Sequence, residues 1–230
     1  FKQKTAYEIG VRLVGSEMCI RDRLNGPRLL SLIELFQFEA KKVFEEFQKH
    51  RKNAIVSVQG TSGKHWKDIS TNQNRDISLG GAMGQSTSAV FGLALGLKNE
   101  KVVHFDSEGA LLMNLGVIAS IAGKQPKNFV HFVLDNGCYA TTGGQPVPNS
   151  ESIDYAQMAA GAGYSKTYNF DDLEDLSTSM EEIMSIDGPV FVAVKVNAEV
   201  ENLPIGMRKR TPTRSRAETI NDLRSELGIK

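Results

Sequence analysis

Charge of one sign is missing from this sequence. Its 27 lysines and arginines are balanced by 27 aspartates and glutamates, so no net field draws the chain to nucleic acid or an anionic membrane. Cysteine is scarce: Cys19 and Cys138 are the only two, which excludes a disulfide scaffold and points to a reducing cytoplasm. No run approaches the roughly 18 consecutive apolar residues that a spanning helix needs. Collagen-like periods and low-complexity tracts are absent as well. What remains is a globular composition, 40% apolar over 230 residues, long enough for one large or two small domains.

Residues 1–23 stand apart. Charges interrupt each short apolar run, and the stretch has neither a helix cap nor the long apolar block of a signal peptide. The segment resembles the translation of a short-read sequencing adapter and is set aside from fold reasoning. Without it the chain carries 22 basic and 24 acidic residues, and Cys138 is its one cysteine.

Apolar residues at Leu29, Ile33, Phe36, Ala40, Val43, Phe44 and Phe47 mark one face of a helix. Beyond it, apolar β-branched runs at Ala54–Val58, Val102–Phe105, Phe129–Leu134 and Val190–Val196 fit strands buried on both faces. Helical patterns separate them at Gln85–Leu97, Ala110–Ala122, Tyr155–Ala162 and Leu173–Ser185. This alternation predicts an α/β fold over residues 24–198, a doubly wound, mainly parallel sheet with helices on both faces. In such sheets ligands bind beyond the carboxyl ends of the strands, so the loops there should hold the chemistry. Residues 199–230 read as a basic arm containing Pro204 and Pro212, then a short helix over Ala217–Leu227.

Two nucleotide motifs fail in those loops. Around Gly60-Thr61-Ser62-Gly63-Lys64-His65 a phosphate-binding P-loop would need Gly at position 58 and Ser or Thr at 65, where Val58 and His65 stand. A dinucleotide fingerprint ending at Gly84 would need Gly at position 79, which is Leu79. The next two loops, Asp106-Ser107-Glu108-Gly109 and Asp135-Asn136-Gly137-Cys138, are more telling. Glu108 and Asn136 are 28 positions apart, about the length that a strand end, a crossover helix and the next strand consume, so both can emerge at one edge of the sheet. A carboxylate, an amide oxygen and a backbone carbonyl make a hard oxygen set suited to Mg²⁺, which completes its octahedron with phosphate and water. Taken singly, each loop is an ordinary acidic or Asn-Gly turn.

In order, Gly80-Gly81-Ala82-Met83-Gly84, Asp106-Ser107-Glu108-Gly109-Ala110, Leu134-Asp135-Asn136-Gly137-Cys138-Tyr139 and Thr142-Gly143-Gly144-Gln145-Pro146 resemble the diphosphate-binding half of thiamine-diphosphate-dependent enzymes. The pattern is most similar to the phosphonopyruvate and sulfopyruvate decarboxylases, over about residues 40–198 and more loosely through Arg210-Thr211-Pro212-Thr213. The resemblance implies thiamine diphosphate and Mg²⁺ as cofactors, with Glu108, Asn136 and the Cys138 carbonyl as metal ligands. The Gly109 and Ala110 amides would meet the diphosphate. Met83 would hold the cofactor bent, and the Gly81 carbonyl would accept from its aminopyrimidine. Gly63, Lys64 and His65 lie where the family contacts the diphosphate or the substrate's acid group, and Tyr139, Thr142, Gly143, Gly144 and Gln145 would shape the pocket. His104 and His131, alternating inside strands, read as structural histidines.

One departure from the family's Gly-Asp-Gly stands out. Glu108 is one methylene longer than Asp, and Ser107 replaces a glycine with its freedom to adopt positive φ. Asp106, of the same strand parity as Glu108, offers a substitute ligand. The resemblance also places the activating glutamate on a separate pyrimidine-binding domain that nothing here matches. It therefore implies a partner domain or subunit and a dimer or higher oligomer. The expected activity is decarboxylation of the 2-oxoacid 3-phosphonopyruvate. The alternatives are the β-type subunit of a sulfopyruvate decarboxylase or a non-catalytic interaction subunit that keeps the fold. No nucleic acid or membrane partner is expected.

Overall fold

The computed structural model describes residues 38–60, 63–79, 82–200, 203, 207 and 214–229. The adapter-like segment, the first part of the expected helix from Leu29, and the Arg210-Thr211-Pro212-Thr213 match lie outside them.

Helix α1 (Ala40–His50) leads into β1 (Ile55–Val58), α2 (Gly63–Ile69) and α3 (Ser86–Gly96). Next come β2 (Val102–Ser107), α4 (Glu108–Met113), α5 (Val117–Lys124) and β3 (Phe129–Asp135). A two-stranded hairpin, β4 (Cys138–Tyr139) with β5 (Gln145–Pro146), precedes α6 (Tyr155–Ala162), β6 (Lys166–Phe170), α7 (Leu173–Ser185), β7 (Val190–Lys195) and α8 (Arg216–Glu226). The main sheet runs β1-β2-β3-β7-β6 with every pairing parallel, as the α/β alternation predicts.

Alternation along the strands divides the core in two. Val103, Phe105, Val130, Phe132, Val192 and Val194 meet α1, α2 and α7 on one face. Val102, Phe129, Val133, Phe191 and Ala193 meet α3 to α6 and α8 on the other. Burial on both faces is what lets the strands read as unbroken apolar runs. On the first face Arg51, 1% exposed, ends α1 and bonds to Ser70 Oγ, the Asn72 carbonyl and Asp76 Oδ1, with its guanidinium 5.3 Å from the Trp66 ring.

Several elements differ from expectation. The helix expected over Ala110–Ala122 is two, starting at Glu108 and broken after Met113. The Asn114 amide there donates to the Gly84 carbonyl (3.0 Å) and Ser88 Oγ (3.1 Å), stopping α4 to tie it to α3. Gly63–Ile69 is helical, an element absent from the helices that the apolar pattern predicts. Strand β6 carries no apolar run because it is an edge strand with only Phe170 buried. The last helix starts at Arg216, held by a capping box between Ser215 and Glu218, and buries Leu223 in the second core. No helix among the described residues is long and apolar enough to cross a membrane.

Candidate functional site

The loops that follow β1, β2 and β3 all leave the same edge of the sheet, and a cleft of about 300 Å³ opens there. Met83, Gly109, Ala110, Asn136, Cys138, Tyr139 and Thr142 line it, seven of the residues singled out from sequence.

Glu108 is fully buried at the first position of α4, just past the paired Ser107 and Leu134 of β2 and β3. Neither carboxylate oxygen has a hydrogen bond of good geometry among the described residues. Burial, and then the charge of Asp135, push its pKa up to about 8; the amides of Glu108, Asn136 and Gly109 face it and offset part of that rise. An orphaned buried carboxylate is costly unless a cation meets it. Among the described residues no three His, Cys, Asp or Glu side chains cluster as a metal site. The loop after β3 lies close by: the Asn136 backbone amide faces Glu108, and Asn136 Oδ1 accepts from the Cys138 amide at 2.9 Å. One carboxylate with neutral oxygens fits a hard divalent ion that retains phosphate and water ligands.

Ser107 does not need the lost glycine. It sits at φ −114°, ψ 152°, and its hydroxyl accepts from the Ala110 amide at 3.4 Å. The Ala110 amide expected to face a diphosphate is thus already engaged. Asp106, the suggested substitute ligand, belongs to the cleft lining, but its carboxylate is already engaged, accepting from the Thr87 hydroxyl and the Ser107 amide. Helix α4 begins at Glu108 and breaks the strand parity on which that substitution depended.

Gly109 is required by close approach. A Cβ there would lie 2.8 Å from Tyr139 Cε1 and 3.2 Å from Met83 Cε, so the tyrosine ring and the methionine tip meet over it. Met83 is 43% exposed, as befits a cleft wall rather than core filler. Burial and then Glu108 raise the pKa of both Cys138 and Tyr139.

Other expected residues are placed differently. Lys64 Nζ and His65 Nε2 contact Glu199 Oε2 at 2.7 and 2.8 Å, so the basic pair after β1 meets a carboxylate of this chain and is absent from the cleft lining, as is Gly63. Gly143 and Gly144 (φ +118° and +83°) turn the β4-β5 hairpin, and Gly144 packs beside Val200. Thr142 Oγ1 and Gln145 Oε1 bond at 2.8 Å across that hairpin. Gly81 lies outside the described residues. His104 and His131 are fully buried in the second layer, off the cleft.

Sequence reasoning passed over Asp135 as a partner of the site. Its Oδ2 pairs with Lys195 Nζ at 2.5 Å, and a carboxylate one residue before Asn136 gave the signal that could have found it.

The family described as thiamine pyrophosphate enzyme, C-terminal TPP binding domain, matches residues 54–194. The chain belongs to this family. The TPP-binding domain is 36% identical over 148 residues to phosphonopyruvate decarboxylase of Streptomyces viridochromogenes, covering 64% of this chain and 36% of that one. It is 31% identical over 172 residues to sulfopyruvate decarboxylase subunit beta of Methanococcus maripaludis, covering 75% of this chain and 90% of the subunit. The chain spans about a third of the length of the phosphonopyruvate decarboxylases it matches. Among solved structures, benzoylformate decarboxylase from Polynucleobacter necessarius shares the fold, with a TM-score of 0.62 at 19% identity over 72% of this chain and 34% of that one.

Proposed function

We propose that this domain is the cofactor-binding half of a thiamine-diphosphate-dependent decarboxylase that converts 3-phosphonopyruvate to phosphonoacetaldehyde and CO₂. The observation that carries it is the buried Glu108 carboxylate, without a hydrogen-bond partner among the described residues and directly between Ser107 and Gly109 of the cleft lining, inside a matched TPP-binding domain. Glu108, the Asn136 amide oxygen and the Cys138 carbonyl would hold Mg²⁺, which would supply positive charge to neutralise the diphosphate. When bound, the cofactor supplies the nucleophilic carbon and the electron-accepting ring that the loss of CO₂ requires. The chain's own residues orient it: Met83 supports it from one wall, and Tyr139 over Gly109 closes the other against water. A pyrimidine-binding domain or subunit contributes the activating glutamate, so the working site lies between two domains in a dimer or larger assembly in the cytoplasm.

A second reading, the β-type subunit of a sulfopyruvate decarboxylase, is favoured by the match across 90% of the M. maripaludis subunit. Both substrates are 2-oxoacids with a second acidic group. The test is titration of thiamine diphosphate with Mg²⁺ by calorimetry, followed by CO₂ release from each substrate once the pyrimidine-binding partner is supplied. Binding with faster turnover of phosphonopyruvate is expected; preference for sulfopyruvate selects the second reading. Binding without turnover of either leaves a non-catalytic interaction subunit, and no binding at all removes the cofactor site.

A further inference from the structure

A chain of buried polar groups runs behind the cleft on the second face of the sheet. Asp106, 0% exposed, accepts from Thr87 Oγ1 at 2.5 Å through Oδ2 and from the Ser107 amide at 2.9 Å through Oδ1. His131 Nε2 lies 3.6 Å from the same Oδ2, and His131 Nδ1 lies 3.3 Å from the Tyr164 hydroxyl. A tyrosine donating to Nδ1 leaves the proton on Nε2, facing the carboxylate. His104 Nδ1 faces the Ser57 carbonyl at 3.3 Å, and its Nε2 lies 3.4 Å from Ser86 Oγ and 3.2 Å from Thr87 Oγ1. The single Thr87 proton goes to Asp106 Oδ2, by far the shorter contact at 2.5 Å, and Ser86 can donate to His104.

A carboxylate buried this deeply costs more than an apolar residue of the same volume, so the cluster is a poor device for stability alone. Its placement suggests another use. Thr87 belongs to α3, the helix that follows the Met83 loop, and Asp106 stands two residues before Glu108. At the other end of α4, Asn114 bonds to the Gly84 carbonyl and Ser88 Oγ, again on the α3 side. Six-residue α4, which starts at Glu108, is thus fastened to the α3 side beyond both its ends, and the two segments fastened together are those that supply Met83 and, on either side of Glu108, Ser107 and Gly109 to one cleft.

We propose that Thr87 and Asp106 form a brace that sets the position of Glu108 against the Met83 loop, making them positioning residues for the metal site. The inference rests on the reading of Glu108 as a metal ligand. Mg²⁺ demands near-ideal octahedral geometry, so a carboxylate displaced by a fraction of an ångström binds it poorly. Groups that orient metal ligands through hydrogen bonds change affinity by about 10- to 100-fold when removed.

The test uses Thr87→Val, which keeps the shape and removes the donor, with Thr87→Ser as the restoring variant. Asp106→Leu, which removes the acceptor at similar volume, is a second cut of the same bond should Thr87→Val fail to fold. Glu46→Ala, on the opposite face of the sheet, controls for general destabilisation. Two quantities are read: Mg²⁺ affinity by calorimetry at saturating thiamine diphosphate, and hydrogen exchange at the amides of residues 107–110 in the metal-free protein. Thr87→Val is expected to lose about 10- to 100-fold in Mg²⁺ affinity and to exchange faster at those amides, Thr87→Ser to recover both, and Glu46→Ala to change neither. A wild type that binds Mg²⁺ no better than Thr87→Val overturns the brace and leaves the metal site standing. A wild type without Mg²⁺-dependent binding overturns the metal site and the brace with it.

Discussion

Glu108 and Asp135 leave the ends of adjacent parallel strands, and of the two only Asp135 has a cation among the described residues. Asp135 Oδ2 receives Lys195 Nζ at 2.5 Å, whereas Glu108 is fully buried with both oxygens unpartnered. Lys195 closes β7, next to β3 in the sheet, so the fold neutralises one carboxylate with its own lysine. The other has no such partner among the described residues.

That asymmetry sets a pH dependence for the metal-free protein. The folded pKa of Glu108, about 8, lies above its ordinary value of 4.5. Protonated Glu108 is the form the fold favours, so its contribution to stability is full below pH 4.5 and is lost as pH rises through 8. The slope approaches about 1.4 kcal/mol per pH unit within that window. Thermal melts in chelator between pH 5 and 9 should show the decline in wild type and a flatter profile in Glu108→Gln. Parallel profiles would mean that Glu108 titrates normally.

Metal binding should separate three substitutions. Glu108→Asp is expected to retain Mg²⁺-dependent binding of thiamine diphosphate, Glu108→Gln to abolish it, and Asn136→Ala to weaken it by at least about tenfold. Calorimetry checks all three, and unchanged affinity in Asn136→Ala would remove that amide from the ligand set.

Gly109→Ala tests the floor of the cleft. The new Cβ meets the Tyr139 ring at 2.8 and 2.9 Å, an overpacking worth roughly 1–3 kcal/mol, and should lower cofactor affinity by displacing the ring. Gly92→Ala in α3 meets nothing within 4 Å and should gain roughly 0.5–1 kcal/mol in helix stability. Urea unfolding of both variants distinguishes a steric effect at residue 109 from a general intolerance of alanine.

Arg51→Met probes the opposite face. It leaves Asp76, whose carboxyl burial already raises in pKa against the opposing pull of Arg51, without its partner. The expected cost is about 3–5 kcal/mol by chemical denaturation, with partial recovery in Arg51→Met combined with Asp76→Leu. A loss below about 1 kcal/mol would place the pair among weak surface bridges.

Helices α6 and α7 have the limits that the apolar spacing predicts, Tyr155–Ala162 and Leu173–Ser185, because each carries its stop signal locally: the αL Gly163 ends α6, and Asp172 caps α7. The break between α4 and α5 was not legible, since it depends on Asn114 finding Gly84 and Ser88, residues of another helix. The same holds at the site. Met83, Glu108, Asn136 and Tyr139 follow from loops placed after strands, whereas the fate of Lys64 and His65 turns on Glu199, 134 positions beyond His65.

The sequence by itself determined the parallel α/β architecture, the family and the loops that meet at one sheet edge, because each is encoded in local periodicity and in motifs read in order. Only the tertiary structure decided which charges find partners. It gave Asp135 a lysine, Lys64 and His65 a glutamate, and Asp106 a threonine, and among the described residues it left Glu108 without a cation. The energy of a buried charge depends on what stands within a few ångströms, and folding brings those neighbours from segments that share no local signal.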